Sequence, residues 1–211
     1  MSSSASSPND GRTDREPAKR AFAEEFADAT ELFQESDDER APKYAVLPTG
    51  QRANRMFAVG ALLEAENLAK SGDDEYWQAR VVDPTGTFFV YAGQYQPEAM
   101  AALRSIEPPE YVAVVGKPRS YENDNGEVLM SLTPESITVV PEAARDHWVV
   151  ETADHTIARF DEFAEGPGIS PDADRAREAY GDDIEEYEVA AKEALAQVAD
   201  IELAEDETDA E

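Results

Sequence analysis

The sequence predicts a mainly β protein with an α extension, a five-stranded barrel followed by a C-terminal helical element. Three observations predict it. Residues 75–140 read as strand, tight turn, strand, short helix, strand, hairpin and strand. Just upstream, Phe57, Val59, Ala61, Leu63 and Ala65 alternate along residues 55–68 and supply the first strand that such a sheet needs. After Pro141 the apolar residues change from a spacing of two to a spacing of three or four, which is helical. A helix inserted between the third and fourth strands of a small barrel is the layout of an OB-fold.

The first 42 residues form an acidic N-terminal segment. Residues 1–20 are rich in Ser, Asp and Arg, show no apolar period and are expected to be mostly disordered. Phe22, Phe26, Ala29 and Phe33 recur at helical spacing within residues 21–35. They make either a short amphipathic helix that caps the barrel or an acidic, aromatic peptide that docks on a partner.

The OB-fold domain is expected over residues 43–141. Tyr44 to Leu47 would open the barrel, before an interruption at Pro48, Thr49 and Gly50. Residues 55–68 are a long strand, although Ala, Leu and Glu also suit a helix there. Glu75 to Asp83 and Thr87 to Tyr95 form a hairpin around Pro84, Thr85 and Gly86, a turn sequence. The helix runs over residues 97–106, and the last strands over 110–117 and 126–132.

Residues 142–211 form the C-terminal helical region. Trp148, Val149, Thr152, Thr156, Ile157, Phe160 and Phe163 predict an amphipathic helix over 142–164, ended by Gly166, Pro167 and Gly168. A short helix begins at Pro171. Asp182 and Asp183 start a third, on which Ile184, Tyr187, Ala191, Leu195 and Val198 make one stripe. Residues 202–211 read as an acidic, fraying tail.

Composition limits the function. The chain has 211 residues with 47 acidic against 18 basic ones, a net charge of -29, which does not suit gripping phosphate through bulk charge. Only 5 of the basic residues are Lys, and the acids are spread through every segment. That spread fits a surface adapted to molar salt better than a dedicated acidic tail, and predicts loss of structure when salt is removed. There is no Cys, which excludes disulfides, zinc ribbons and thiol chemistry. No apolar run reaches the roughly 18 residues that a membrane span needs, and the N-terminus lacks a signal peptide's apolar core, so a cytoplasmic location with no membrane partner is expected.

Strand alternation sorts the candidate site. Ala79 and Val81 point inward, which turns Tyr76, Gln78 and Arg80 outward; Phe88 and Val90 point inward, which turns Phe89 and Tyr91 outward. Trp77 is expected in the core. Lys117, Arg119 and Tyr121 alternate onto one side of the strand leading into the hairpin at residues 122–126. The result is a groove of aromatic platforms interleaved with cations, unless the appended helices cover the rings. Concentrated salt removes most counterion-release affinity, whereas stacking at about 1–3 kcal/mol per base survives better. A single-strand binder in brine should therefore lean on rings. Arg52 and Arg55 could reach phosphate. His147 and His155 lie eight apart without a zinc-binding arrangement and read as surface residues. No phosphate-binding glycine loop is present and no acid pair stands out, so no enzyme and no cofactor are expected.

The run from Ala79 to Tyr91, with Asp83, Pro84 and Gly86 ahead of Phe88, Phe89 and Val90, is similar to the second-to-third strand signature of replication protein A barrels. With the order of elements, the acidity and the helical extension, the chain resembles the replication-protein-A-associated proteins of halophilic archaea over residues 20–200. The resemblance implies a single-stranded DNA-binding accessory subunit that acts with a cognate replication protein A subunit in replication, repair and recombination. It places Arg80, Phe89 and Tyr91 on the binding face, beside Tyr76, with Lys117, Arg119 and Tyr121 on a later strand of the same groove. Where family barrels often carry a stacking aromatic after the third strand, this chain has Gly93, with Tyr95 two residues on. The stripe Ile184, Tyr187, Ala191, Leu195 and Val198 would pack on the partner subunit. The alternative is an OB-fold assembly protein that binds a partner protein and not DNA.

Overall fold

A computed structural model describes residues 16–38 and 41–208. The chain runs through α1 (Ala23–Asp28), β1 (Leu32–Gln34), β2 (Lys43–Leu47), β3 (Gln51–Ala53), β4 (Met56–Asn67), β5 (Trp77–Val82) and β6 (Thr87–Ala92). It continues through α2 (Pro97–Ser105), β7 (Glu110–Glu122), β8 (Val128–Val139), α3 (Glu142–Ala164), α4 (Pro171–Tyr180) and α5 (Glu185–Thr208).

β4, β5, β6, β8 and β7 close in that order into a barrel, antiparallel throughout except for the β6–β8 pair. With α2 between the third and fourth barrel strands this is the OB-fold. Closure leaves the barrel strands no free edge. Ala79, Val81, Phe88, Val90, Val112, Val114 and Leu132 fill the interior, as alternation requires. Gly60 permits the tight approach of β5, since a Cβ there would lie 2.4 Å from the Val82 carbonyl oxygen.

β4 corrects the sequence reading. Its fully buried residues include Met56, Ala58 and Leu62, whereas Leu63, one of the residues read as alternating onto one face, is 49% exposed. The cause is α3, which lies across the outside of β4: the Trp148 indole N–H donates to the Phe57 carbonyl at 2.9 Å, and Val59 is buried too. A strand covered on both faces carries apolar residues at both parities, so alternation alone cannot choose the inward one.

β2 is also corrected: it does not belong to the barrel. It pairs with β1 and β3 in a separate three-stranded sheet. Tyr44 to Leu47 are buried without a break because the sheet is covered on both sides. Ala45 and Leu47 join the barrel core, and Val46 joins a second core with Phe163, Ala173, Ala176, Ile184 and Tyr187.

The N-terminal aromatics cap the barrel. Phe22, Phe26 and Ala29 are buried, Phe26 lies 5.6 Å from Phe88 and Phe22 lies 5.7 Å from Trp148. The helix is shorter than expected, and Phe33 sits in β1. Residues 16–20, read as disordered, lie along the start of β4, where Lys19 exchanges backbone hydrogen bonds with Arg55 and Phe57. Residues 1–15 of that expectation lie outside the described residues.

Asp83 fastens the cap. Its carboxylate accepts from the Ala23 N–H at 2.8 Å and from the N–H groups of Thr85 and Gly86. Deeper in, the Arg159 guanidinium of α3 lies 2.6 Å from the Glu25 carboxylate of α1, and both hold the Thr49 hydroxyl of the β2–β3 turn.

The period change after Pro141 gives α3 with the expected bounds. The stripe on α5 is amphipathic as read, but its partner lies within the chain. Ile184, Tyr187, Ala191 and Val198 are buried and Leu195 is half-buried, because α5 packs on α3. These residues are therefore not free to hold another subunit. α5 continues as helix to Thr208 through the expected tail, whose last residues, 209–211, lie outside the described ones. No described helix is long and apolar enough to cross a membrane.

Candidate nucleic-acid interface

The β5–β6 hairpin sets the site. Its register places Gln78 opposite Tyr91 and Arg80 opposite Phe89, all on the outer surface of the barrel. Tyr76 stacks on Tyr91 with ring centroids 5.8 Å apart and planes 17° from parallel. Tyr121, from the far end of β7, meets Tyr91 edge-on at 6.4 Å and 83°. The Gln78 amide donates to the Tyr91 hydroxyl at 2.6 Å. Tyr91 is thus fixed on three sides, which pre-organises the platform.

Gly93 belongs to this cluster. A Cβ there would lie 3.3 Å from the Tyr76 ring, so the glycine leaves room for that ring to sit close. The Gln96 amide oxygen accepts from the Gly93 N–H at 3.1 Å and holds the loop. Tyr95, at its tip, is 84% exposed. Tyr76, Tyr91, Gly93, Tyr95 and Arg119 line a cleft of about 430 Å³. A second cleft of about 430 Å³, lined by Tyr95, Lys117, Arg119 and Thr133, continues from it.

The three C-terminal helices leave this face open. α3 lies on β4 and β7, α4 on β2 and β3, and α5 on α3. Tyr76 is 46% and Phe89 37% exposed. Of the two placements open for the outward rings, they take the uncovered one. Trp77 is half-buried against the core.

The cations divide sharply. Arg80 pairs with Glu64 of the neighbouring strand at 3.2 Å. Arg52 pairs with Glu35 and Asp172, Arg55 with Glu135, and Arg104 with Glu75. Arg52 and Arg55 therefore serve the fold and are not waiting for phosphate. Lys117 and Arg119 are exposed, and neither has a carboxylate partner among the described residues. In so acidic a chain, an unpaired cation beside a stacked ring marks a place for an external anion.

Burial raises the phenol pKa of Tyr76, and burial together with the Tyr121 hydroxyl raises that of Tyr91, so both rings stay neutral donors through the ordinary pH range. His147 lies 3.3 Å from Glu151 on the surface. No group of three metal-ligating side chains occurs among the described residues.

The structure gathers Tyr76, Tyr91, Tyr95, Lys117 and Arg119 around connected clefts, with Tyr121 against Tyr91 and with Phe89 and Arg80 farther along the same face. Sequence reasoning missed the roles of Gln78, Gln96 and Gly93, although it placed Gln78 on this face. Only the register between β5 and β6 exposes the first of these.

No family model and no curated protein matches the chain. Among solved structures it is similar to a replication protein A heterotrimer bound to single-stranded DNA, at 17% identity over 61% of this chain and 88% of that one, with a TM-score of 0.42. It is also similar to yeast Stn1 and Ten1, at 11% identity over 71% and 83%, with a TM-score of 0.45. A third is the second single-stranded DNA-binding protein of Mycobacterium smegmatis, at 18% identity over 43% and 88%, with a TM-score of 0.35. Likeness at this level does not bear on what the chain binds.

Proposed function

We propose that this protein binds single-stranded DNA across the outer face of β5, β6 and β7, as a non-enzymatic accessory subunit acting with replication protein A. The observation that carries the reading is the open tyrosine cluster with Lys117 and Arg119 left unpaired beside it. Bases stack on the exposed rings of Tyr76, Tyr95 and Phe89, and Tyr91 acts from behind by fixing Tyr76. Lys117 and Arg119 take phosphates between them. Stacking tolerates any base, so the site tracks a strand without reading its sequence.

The charge distribution supports work in a salt-rich cytoplasm, where ring stacking outlasts ion pairing. The resemblance to halophilic replication-protein-A-associated proteins supports the accessory role. A second reading, an assembly protein that binds only a partner, is favoured by one feature: the tip of the β7–β8 hairpin exposes Val128 and Leu129 on an otherwise acidic molecule.

Titration of fluorescent oligo-dT in about 2–3 M KCl, where little counterion-release affinity remains, separates the two. Binding by the isolated protein, weakened in Phe89→Ala and Tyr76→Ala, supports the DNA subunit. Binding that appears only with the partner present, and is indifferent to both substitutions, supports the assembly protein.

A further inference from the structure

A cleft of about 460 Å³ opens where the barrel meets the three-stranded sheet. Lys117, Pro118 and Arg119 of β7 form one wall, and Pro42, Lys43 and Asn54 form the other. Lys43 is exposed and, like Lys117 and Arg119, has no carboxylate partner among the described residues. The described lining of this cleft contains no carboxylate. Its two neighbours do contain them: Asp74 and Glu75 in one, Glu98 and Glu135 in the other. The wall is fixed, because the Asn54 amide donates to the Lys43 carbonyl at 2.8 Å.

Three cations stand around a cleft whose described lining holds no carboxylate, and none of the three has a carboxylate partner among the described residues. In a chain with 47 acids, an external anion is what the place is fitted to hold. Lys117 and Arg119 also wall the cleft beside Tyr95, and Arg119 reaches the one beside Tyr76 and Tyr91, so the three clefts form one track. We infer that Lys43 extends the binding track off the barrel, holding a backbone phosphodiester of the same single strand beyond the bases stacked on the tyrosines. The inference rests on the single-strand reading above and adds a subsite that the barrel itself does not contain.

The test compares oligo-dT of about 5 and about 15 nucleotides, near the two ends of the range of strand lengths one OB-fold engages. Each is titrated from about 0.5 to 3 M KCl with wild type, Lys43→Ala and Lys43→Arg. Losing one phosphate contact flattens the slope of log affinity against log salt by about 0.7 for a single strand. Lys43→Ala should show that flattening and a loss of a few-fold in affinity on the long strand only, with Lys43→Arg restoring both. Lys43 is exposed at the start of β2, so the alanine variant should fold, and circular dichroism checks this. Unchanged long-strand affinity and slope in Lys43→Ala, while wild type binds, overturn the subsite alone. Wild type that binds neither length removes the single-strand reading, and the subsite with it.

Discussion

Tyr76 stacks on Tyr91 because Gly93 leaves room for its ring, and Gln78 and Tyr121 hold Tyr91 in place beneath it. The platform exists before any ligand arrives, so binding does not have to order it. Tyr76→Ala should weaken oligo-dT binding by about 1–3 kcal/mol, and Tyr76→Phe should retain it, since the ring and not the hydroxyl makes the stack. Fluorescence anisotropy of labelled oligo-dT measures both. Equal losses in the two variants would show that the hydroxyl matters and the ring does not.

Tyr44 and Tyr180 are among the tyrosines that link stability to alkaline pH. The Tyr44 hydroxyl donates to Glu16 at 2.6 Å, and this bond together with burial pushes its pKa up to about 12. Burial likewise pushes Tyr180 up to about 12, where its hydroxyl donates to the Val46 carbonyl at 2.9 Å. In the unfolded chain both ionise near pH 10. Between about 10 and 12 the folded state keeps protons that the unfolded state has lost, so raising the pH favours unfolding. The stabilisation is complete below about pH 10 and falls by up to roughly 1.4 kcal/mol per pH unit for each tyrosine above it. Urea midpoints at about pH 9 and 11 should show the drop, smaller in Tyr180→Phe. A flat midpoint would contradict it.

Glu25 and Arg159 form a buried ion pair joining the N-terminal cap to α3. Removing one partner leaves the other charged and buried. Arg159→Ala should therefore cost about 3–5 kcal/mol, whereas a double variant carrying Arg159→Met and Glu25→Gln removes both charges together and should cost much less. Chemical denaturation of the two variants gives the comparison. A milder effect in Arg159→Ala than in the double variant would reverse the assignment.

The α5 stripe is part of the chain's own core, which turns a question about partners into one about folding. A chain ending at Gly181 removes Ile184, Tyr187, Ala191 and Val198 and uncovers the α3 face against them. Its thermal unfolding should shift well below that of the full chain, before any partner is added. An unchanged transition would show that α5 contributes little to the fold.

The sequence is most legible where one side of an element is buried and the other wet. On β5 and β6, inward Ala79, Val81, Phe88 and Val90 alternate with outward Arg80, Phe89 and Tyr91, and the face follows directly. The α3 period is equally clear. Legibility fails where two layers cover one strand. β4 is apolar at both parities, and Tyr44 to Leu47 look the same whether they join the barrel or a sheet of their own. Periodicity also shows that α5 has an apolar stripe without showing what covers it. In the candidate site, the tyrosines and Lys117 and Arg119 announce themselves by alternation along one strand each. Lys43 does not, because it reaches the track from a different sheet.

Whether nucleobases lie on the open rings of the β5–β6 face in concentrated salt is most directly read by photo-crosslinking. Halogenated oligo-dU is irradiated with the protein in about 2–3 M KCl, where ion pairing contributes little, and the adducts are mapped by mass spectrometry. Adducts should fall on Tyr76, Tyr95 and Phe89. Adducts confined to the helical region, or none from a protein that retains its fold, would contradict the assignment.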